Sequence, residues 1–176
     1  METLVATTLM ATAIVTLAEL FALSTRTNVS ARNTTYAAIL AEQKMEELRS
    51  LVWGFDTQGL PLSDTASNTA VSPVEASGGT GLKPSPTTTL KEDTTGWVDY
   101  VDGYGKKISN VSSDNQQQVV YTRRWSVTPL PTNPNNTLVL QVLVTRNKDR
   151  GQANEGNVRR LAEEARMIAV RTRKAQ

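Results

Sequence analysis

The chain has no cysteine and no histidine among its 176 residues. Those absences exclude a thiol nucleophile, a Ser-His-Asp triad, a structural zinc site of the usual ligand types and any disulfide. Catalysis would have to rest on carboxylate, lysine or tyrosine, and no convergent carboxylate pair is visible. Glu46 and Glu47 are adjacent, so on a helix they diverge by roughly 100° and cannot share one proton. The composition predicts a protein that is not an enzyme and carries no cofactor. Charge is also missing over one long stretch: from Leu4 to Leu23 only Glu19 is ionisable. Pro and Gly are absent from Ser24 to Val52, and no repeat of fixed period is present.

What fills the uncharged stretch is apolar. Leu4, Val5, Leu9, Ile14, Val15, Leu17, Leu20, Phe21 and Leu23 belong to a run of about 20 residues, which at roughly 1.5 Å per residue matches the hydrocarbon thickness of a bilayer. Its threonines, Thr7, Thr8, Thr12 and Thr16, are cheap in lipid because their hydroxyls can bond back to carbonyls three or four residues earlier. Glu19 stands near the outer end, within reach of headgroups. A cleaved secretory signal would need a basic start and a small-residue cleavage site after a shorter apolar core. Glu2 stands where the basic residue should be. Arg26 and Arg32 follow the span, so charge placement taken literally would leave the bulk of the protein in the cytoplasm, unless a basic leader precedes Met1.

The helical pattern continues beyond the span. Ala31, Thr34, Ala38, Ala41, Met45, Leu48 and Val52 recur at spacings of three and four and make one narrow stripe. Lys44 with Glu47 and Glu46 with Arg49 are expected as ion pairs on the solvent side. Gly54 is expected to end a helix of about 45 to 50 residues, roughly 70 Å long. Residues 54–96, rich in Ser, Thr, Gly and Pro, read as loop rather than core. Trp97 to Val101 reads as a short strand, with Asp102 and Gly103 supplying a positive-φ turn. Val119 to Pro129 and Thr137 to Arg146 read as a hairpin joined by PLPTNPNN. In the first of these strands Tyr121, Arg123, Trp125 and Val127 share a face, and Thr122, Arg124 and Ser126 take the other. A polar connection over 146–157, a short turn or helix over 157–166 and a closing strand over 167–173 complete the chain. The expected fold is α+β. A small antiparallel sheet needs one face covered, and Ala38, Ala41, Met45, Leu48 and Val52 are placed to cover it against Tyr121, Trp125, Leu140 and Val142. Four regions result: an apolar helix half (1–25), an amphipathic half (26–53), a loop (54–96) and a sheet domain (97–176).

METLVATTLMATAIVTLAELFAL resembles the start of type IV pilins and pseudopilins, whose mature chains open on a pattern of the kind F-S/T-L-x-E-x-L-V-A and run into one long helix. Glu2, Leu4, Val5 and Ala6 fall on its E-x-L-V-A part. LAEQKMEELRSL (40–51), WVDYVDGYG (97–105), YTRRWSV (121–127) and ARMIAVRTR (165–173) are similar to PilV-like minor pilins. The resemblance implies a pilin-like fold and a structural subunit. Such a subunit waits in the bacterial inner membrane with its domain in the periplasm, then joins or primes a type IV pilus or type II secretion pseudopilus at the cell surface. It implies other pilin subunits as partners through the N-terminal helix. It also implies a role for Glu2, pairing in the filament core with the free α-amino group of a neighbour. Prepilin peptidase is implied as a partner too, and since only Met1 precedes Glu2, the true start is expected upstream, in a basic leader ending in Gly.

Other features receive plainer readings. Asp99, Asp102 and Gly103 lack the ligand count of a calcium loop and read as turn residues. Trp125 reads as a core aromatic rather than a nucleic-acid stacking platform. Residues 146–176 hold nine Lys or Arg against four Asp or Glu. That excess could attract nucleic acid, but protection of a terminal edge strand is the favoured reading. The alternative function is a single-span, membrane-anchored periplasmic binding protein that joins no filament.

Overall fold

The computed structural model describes residues 1–109, 111–112, 115–147 and 163–173. Helix α1 runs from Glu2 to Ser50 without a break, 49 residues or about 70 Å. It begins with no side-chain cap, but Glu2 in the first turn places negative charge at the positive end of the helix dipole. Thr8, Thr12 and Thr16 each donate their hydroxyl to a carbonyl three or four residues back, at 2.9 to 3.1 Å. Thr7 donates to Leu4 O. The helix is thus polar in sequence at these points and closed in hydrogen bonding.

The C-terminal end differs from expectation. Leu51 is already extended at the cap, and Gly54 lies inside strand β1 (Trp53–Phe55). The last carbonyls are satisfied instead by Arg171, which donates to Leu48 O at 3.1 Å and Leu51 O at 2.7 Å. No local glycine stop is needed when a distant guanidinium supplies the donors.

β1 pairs antiparallel with β2 (Pro61–Ser63) as a separate hairpin. The main sheet is an antiparallel meander of β3 (Val98–Val101), β4 (Tyr121–Pro129), β5 (Thr137–Arg146) and β6 (Ala165–Thr172), in that spatial order. Its register places Val101 opposite Tyr121, Trp125 opposite Val142, and Val142 opposite Met167. This is the α+β, pilin-like arrangement of one long helix on a small sheet. After β3, Asp102 Oδ1 accepts from the backbone N–H groups of Tyr104 and Lys106. The positive φ of +85° falls on Gly105, not Gly103, and the missing side chain leaves room for Tyr36 and Leu40 of the helix. Most of the polar connection expected over 146–157 and of the turn or helix expected over 157–166 lies outside the described residues.

The core forms where the second half of α1 crosses the sheet. Ala37, Leu40, Ala41, Met45 and Leu48 are buried against Tyr121, Trp125, Val127, Leu138, Leu140, Val142 and Val144. Ala38 packs at the edge of this cluster, partly buried. Val52 does not join it: it lies past the helix end and is 49% exposed. The buried stripe is rotated from the expected one because the helix stops at Ser50 and because Lys44 occupies its centre, fully buried.

The loop departs from its composition. Leu82 enters the core at 2% exposure, and Ser67, Thr69 and Thr89 are buried. Gly79 passes so close to the backbone of Ser67 and Asn68 that a Cβ would collide with it. Ser85 extends the sheet edge, donating from N to Val127 O at 2.9 Å while its hydroxyl accepts from Val127 N. The second face of β4 is consequently covered, and Thr122, Arg124 and Ser126 are buried rather than solvated.

Replacing fully buried Leu140 by Ala should cost about 2 to 5 kcal/mol, whereas Val52→Ala should change stability by no more than about 0.5 kcal/mol. Urea unfolding of the detergent-solubilised chain, followed by tryptophan fluorescence, measures both. Equal effects would remove Leu140 from the core.

Candidate functional site: an uncovered helix half on a buried ionic knot

The first half of α1 touches nothing. Residues 1–29 are exposed, including Leu4 at 68%, Leu9 at 66%, Ile14 at 56%, Leu20 at 62% and Phe21 at 71%. Val5, Val15, Leu17 and Leu23 are exposed with them. This helix is long and apolar enough to cross a membrane. Such a surface is unstable in water and needs lipid or other helices around it. Glu2 sits at its tip, exposed, with no side-chain partner among the described residues. The sheet therefore holds only the second half, and the attachment has to resist any force applied through the first.

That attachment centres on Asp99. Arg123 donates to it twice, from Nε to Oδ1 at 2.7 Å and from Nη2 to Oδ2 at 2.9 Å. Lys44 Nζ donates to Oδ2 at 3.0 Å, to Thr69 O at 2.6 Å and to Glu47 at 3.3 Å. Lys107 joins the cluster through Glu47 at 2.8 Å and the carbonyls of Thr69 and Val71. Lys44, Asp99 and Arg123 are almost completely buried. The Lys44 ammonium also lies 3.7 Å from the centre of the Trp125 ring, a favourable cation–π distance in a dry environment.

Two sequence expectations are corrected here. Lys44 does pair with Glu47, but inside the protein rather than on the solvent side; only Glu46 and Arg49, 2.7 Å apart, form the expected exposed pair. Asp99 is not a turn residue: it lies in β3 and serves as a buried counter-ion, while Asp102 alone does the turn chemistry. Nothing in the spacing of residues 44, 99 and 123 announced this, because the partners meet only once the sheet is assembled. Arg123 on an otherwise apolar strand face was the one available signal, since a buried cation requires an anion.

Burial would push the Asp99 carboxyl up, but the Lys44 ammonium and the Arg123 guanidinium outweigh it and hold the group below the usual carboxylate range. For Lys44, burial dominates and lowers the ammonium to about 8; Asp99 and Glu47 offset this only in part, while Arg123 and Lys107 add to it. The cluster thus sets three cations against two carboxylates.

A second group of arginines closes the domain. Arg173 donates to Gly54 O, Leu62 O, Asn135 O and Ser63 Oγ at 2.6 to 2.8 Å, and its guanidinium stacks 3.5 Å from the Trp53 ring centre. Arg146 pairs with Glu163 at 2.9 Å, and Asn33 of the helix donates to the same carboxylate. Among the described basic residues of the C-terminal region, Arg146, Arg171 and Arg173 are therefore engaged internally rather than displayed as a charged strip. Lys148, Arg150, Arg159, Arg160 and Lys174 lie outside the described residues. Trp125 is wholly buried, so it offers no stacking face. Among the described residues no group of three or more acidic side chains is placed to hold a metal ion. No family model, curated protein or solved structure matches the chain.

Asp99→Ala should cost about 3 to 5 kcal/mol by leaving Lys44 and Arg123 buried without their shared carboxylate. The Asp99 pKa is lower folded than unfolded, so its stabilisation is complete above the ordinary carboxylate range and is lost as pH falls through the folded value. The Lys44 pKa is also lower folded, so from about pH 8 to about 10.5 the unfolded chain holds more protons and stability should rise with pH. Urea midpoints measured across both windows should show these slopes, Asp99→Asn flattening the acid one and Lys44→Met the alkaline one. Slopes unchanged in the variants would contradict the assignment.

Proposed function

We propose that this chain is a structural subunit of a type IV pilus or type II secretion pseudopilus, of the minor-pilin kind. The observation that carries the reading is the unclad apolar half of α1, continuous with a half locked to a four-stranded meander by Asp99. Before assembly the bilayer covers this half, with the domain on the periplasmic side. After assembly the helices of neighbouring subunits replace the lipid. The threonine hydroxyls suit both states, since each is satisfied within its own helix.

Glu2 takes its role from the pilin resemblance. A carboxylate entering an apolar helical core is costly without a counter-charge, and the α-amino group of an adjoining subunit supplies one in register. The exposed position of Glu2 at the helix tip is compatible with that contact.

Full-length chain expressed in a bacterium that makes the filament should appear in both the inner-membrane and the sheared-filament fractions. Glu2→Gln should keep the membrane pool and lose most of the sheared pool. Incorporation of Glu2→Gln at the normal level would refute the role of Glu2. A wild-type chain confined to the membrane, with a domain that still works on an exchanged anchor, would favour the membrane-anchored periplasmic binding protein instead.

A further inference from the structure

The main sheet is closed along one side and open along the other. On the β3 side the chain covers its own edge: Ser85 N donates to Val127 O, Ile108 N donates to Tyr100 O, and Lys107 bridges to Val101. β6 is the opposite edge. Arg173 N donates inward to Asn136 O, and inward bonding alternates along an antiparallel strand, so Ala165, Met167, Ala169 and Arg171 turn their backbone groups toward β5. The N–H and C=O groups of Arg166, Ile168, Val170 and Thr172 therefore face outward, and among the described residues no backbone bond reaches them.

The side chains of these same four residues lie on the sheet face away from the helix. Ile168 is 62% and Val170 63% exposed, with Arg166 and Thr172 exposed at the two ends. Edge strands are ordinarily guarded by lysine, proline or a bulge. β6 has none of these: its pairing with β5 is continuous from Ala165 to Thr172. The basic residues expected to guard it are turned inward, Arg171 onto the helix carbonyls and Arg173 onto the β1–β2 hairpin. Arg166 alone stays outside; it donates to Gln141 at 2.6 Å and keeps donors free for a carboxylate.

The direction of β6 decides what can pair with it. Glu163 meets Asn33, and Arg171 meets Leu48 and Leu51, so β6 runs beside α1 and in the same direction. Antiparallel pairing of β6 with β6 of a second copy would relate the two by a two-fold axis normal to the sheet and reverse the second helix. Two chains held through α1 in one bilayer cannot adopt that arrangement. A copy in the same orientation would have to offer its β3 edge, which is already covered. The open edge thus fits an extended segment of a different polypeptide.

We propose that β6 binds such a segment by antiparallel strand addition, with apolar side chains of the ligand beside Val170 and Ile168 and an acidic residue, toward the ligand's C-terminal end, beside Arg166. Backbone bonds hold the segment, and the alternating side chains select it. The inference goes beyond the filament reading and does not depend on it.

The probe is a fluorescent peptide of sequence TTVTITE, titrated by anisotropy with the full-length chain in detergent and with empty micelles as control. Saturable binding to the protein alone is expected. Methylating the backbone nitrogens of the peptide's Val and Ile, which would face β6, should weaken it about tenfold or more, whereas methylating the two Thr nitrogens that flank Ile should not. Ile168→Lys should weaken binding about tenfold with an unchanged urea midpoint. Arg166→Glu should reverse the preference between TTVTITE and TTVTITK. Absence of saturable binding, or equal loss from both methylated peptides, overturns strand addition. A preference that Arg166→Glu leaves unchanged overturns the acidic partner. Sedimentation showing a wild-type dimer that Ile168→Lys dissociates overturns the foreign segment in favour of a second copy. None of these outcomes bears on whether α1 enters a filament, which the sheared-filament fraction reports separately.

Discussion

Asp99 accepts two hydrogen bonds from Arg123 and one from Lys44, so a single buried carboxylate ties β3, β4 and the helix together. Lys44 extends the connection to the loop through Thr69 O, and Glu47 extends it to Lys107. The geometry is directional in a way that hydrophobic contact is not. Leucines and valines would tolerate the helix sliding or turning on the sheet by a fraction of a residue; a bidentate guanidinium and a fixed ammonium would not. A buried ion pair is weak grounds for expecting extra stability. Its contribution here is register, since it fixes how the helix is rotated and how far it is slid on the sheet.

The rest of the domain is organised around keeping that knot dry. The helix covers one face of the sheet. The loop covers part of the other, with Asp93 pairing with Arg124 at 2.8 Å and accepting from Tyr100 Oη. Leu82 and the close passage at Gly79 give a polar, loop-rich segment a fixed course. The arginines of the closing strand take over tasks usually left to local sequence: Arg171 caps the helix, and Arg173 clamps the β1–β2 hairpin.

The single long helix and the four strands were readable because each rests on local signals: an unbroken stretch without Pro or Gly, alternation in 121–129 and 137–146, and turn residues between them. The helix face that packs was readable only approximately, since Ala41, Met45 and Leu48 are buried and Val52 is exposed. Lys44 inverted a sound rule. A lysine beside two glutamates on a helix belongs in water unless a partner elsewhere in the chain is waiting for it, and Asp99 lies 55 residues away. In the basic C-terminal region, charge counted along the sequence does not reveal that Arg173 is enclosed by carbonyls and an indole. Of the candidate site, the apolar span was plain from composition, while the buried ionic cluster emerged only when the sheet brought Lys44, Asp99 and Arg123 together.

The contacts of Arg171 and Arg173 join positions 119 to 123 residues apart. The carbonyls at the end of the helix, made early in synthesis, stay open to water until nearly the whole chain has followed them. Closure of the domain therefore comes last, and the helix is fixed at its angle to the sheet only when residues within six positions of the C-terminus have taken their places.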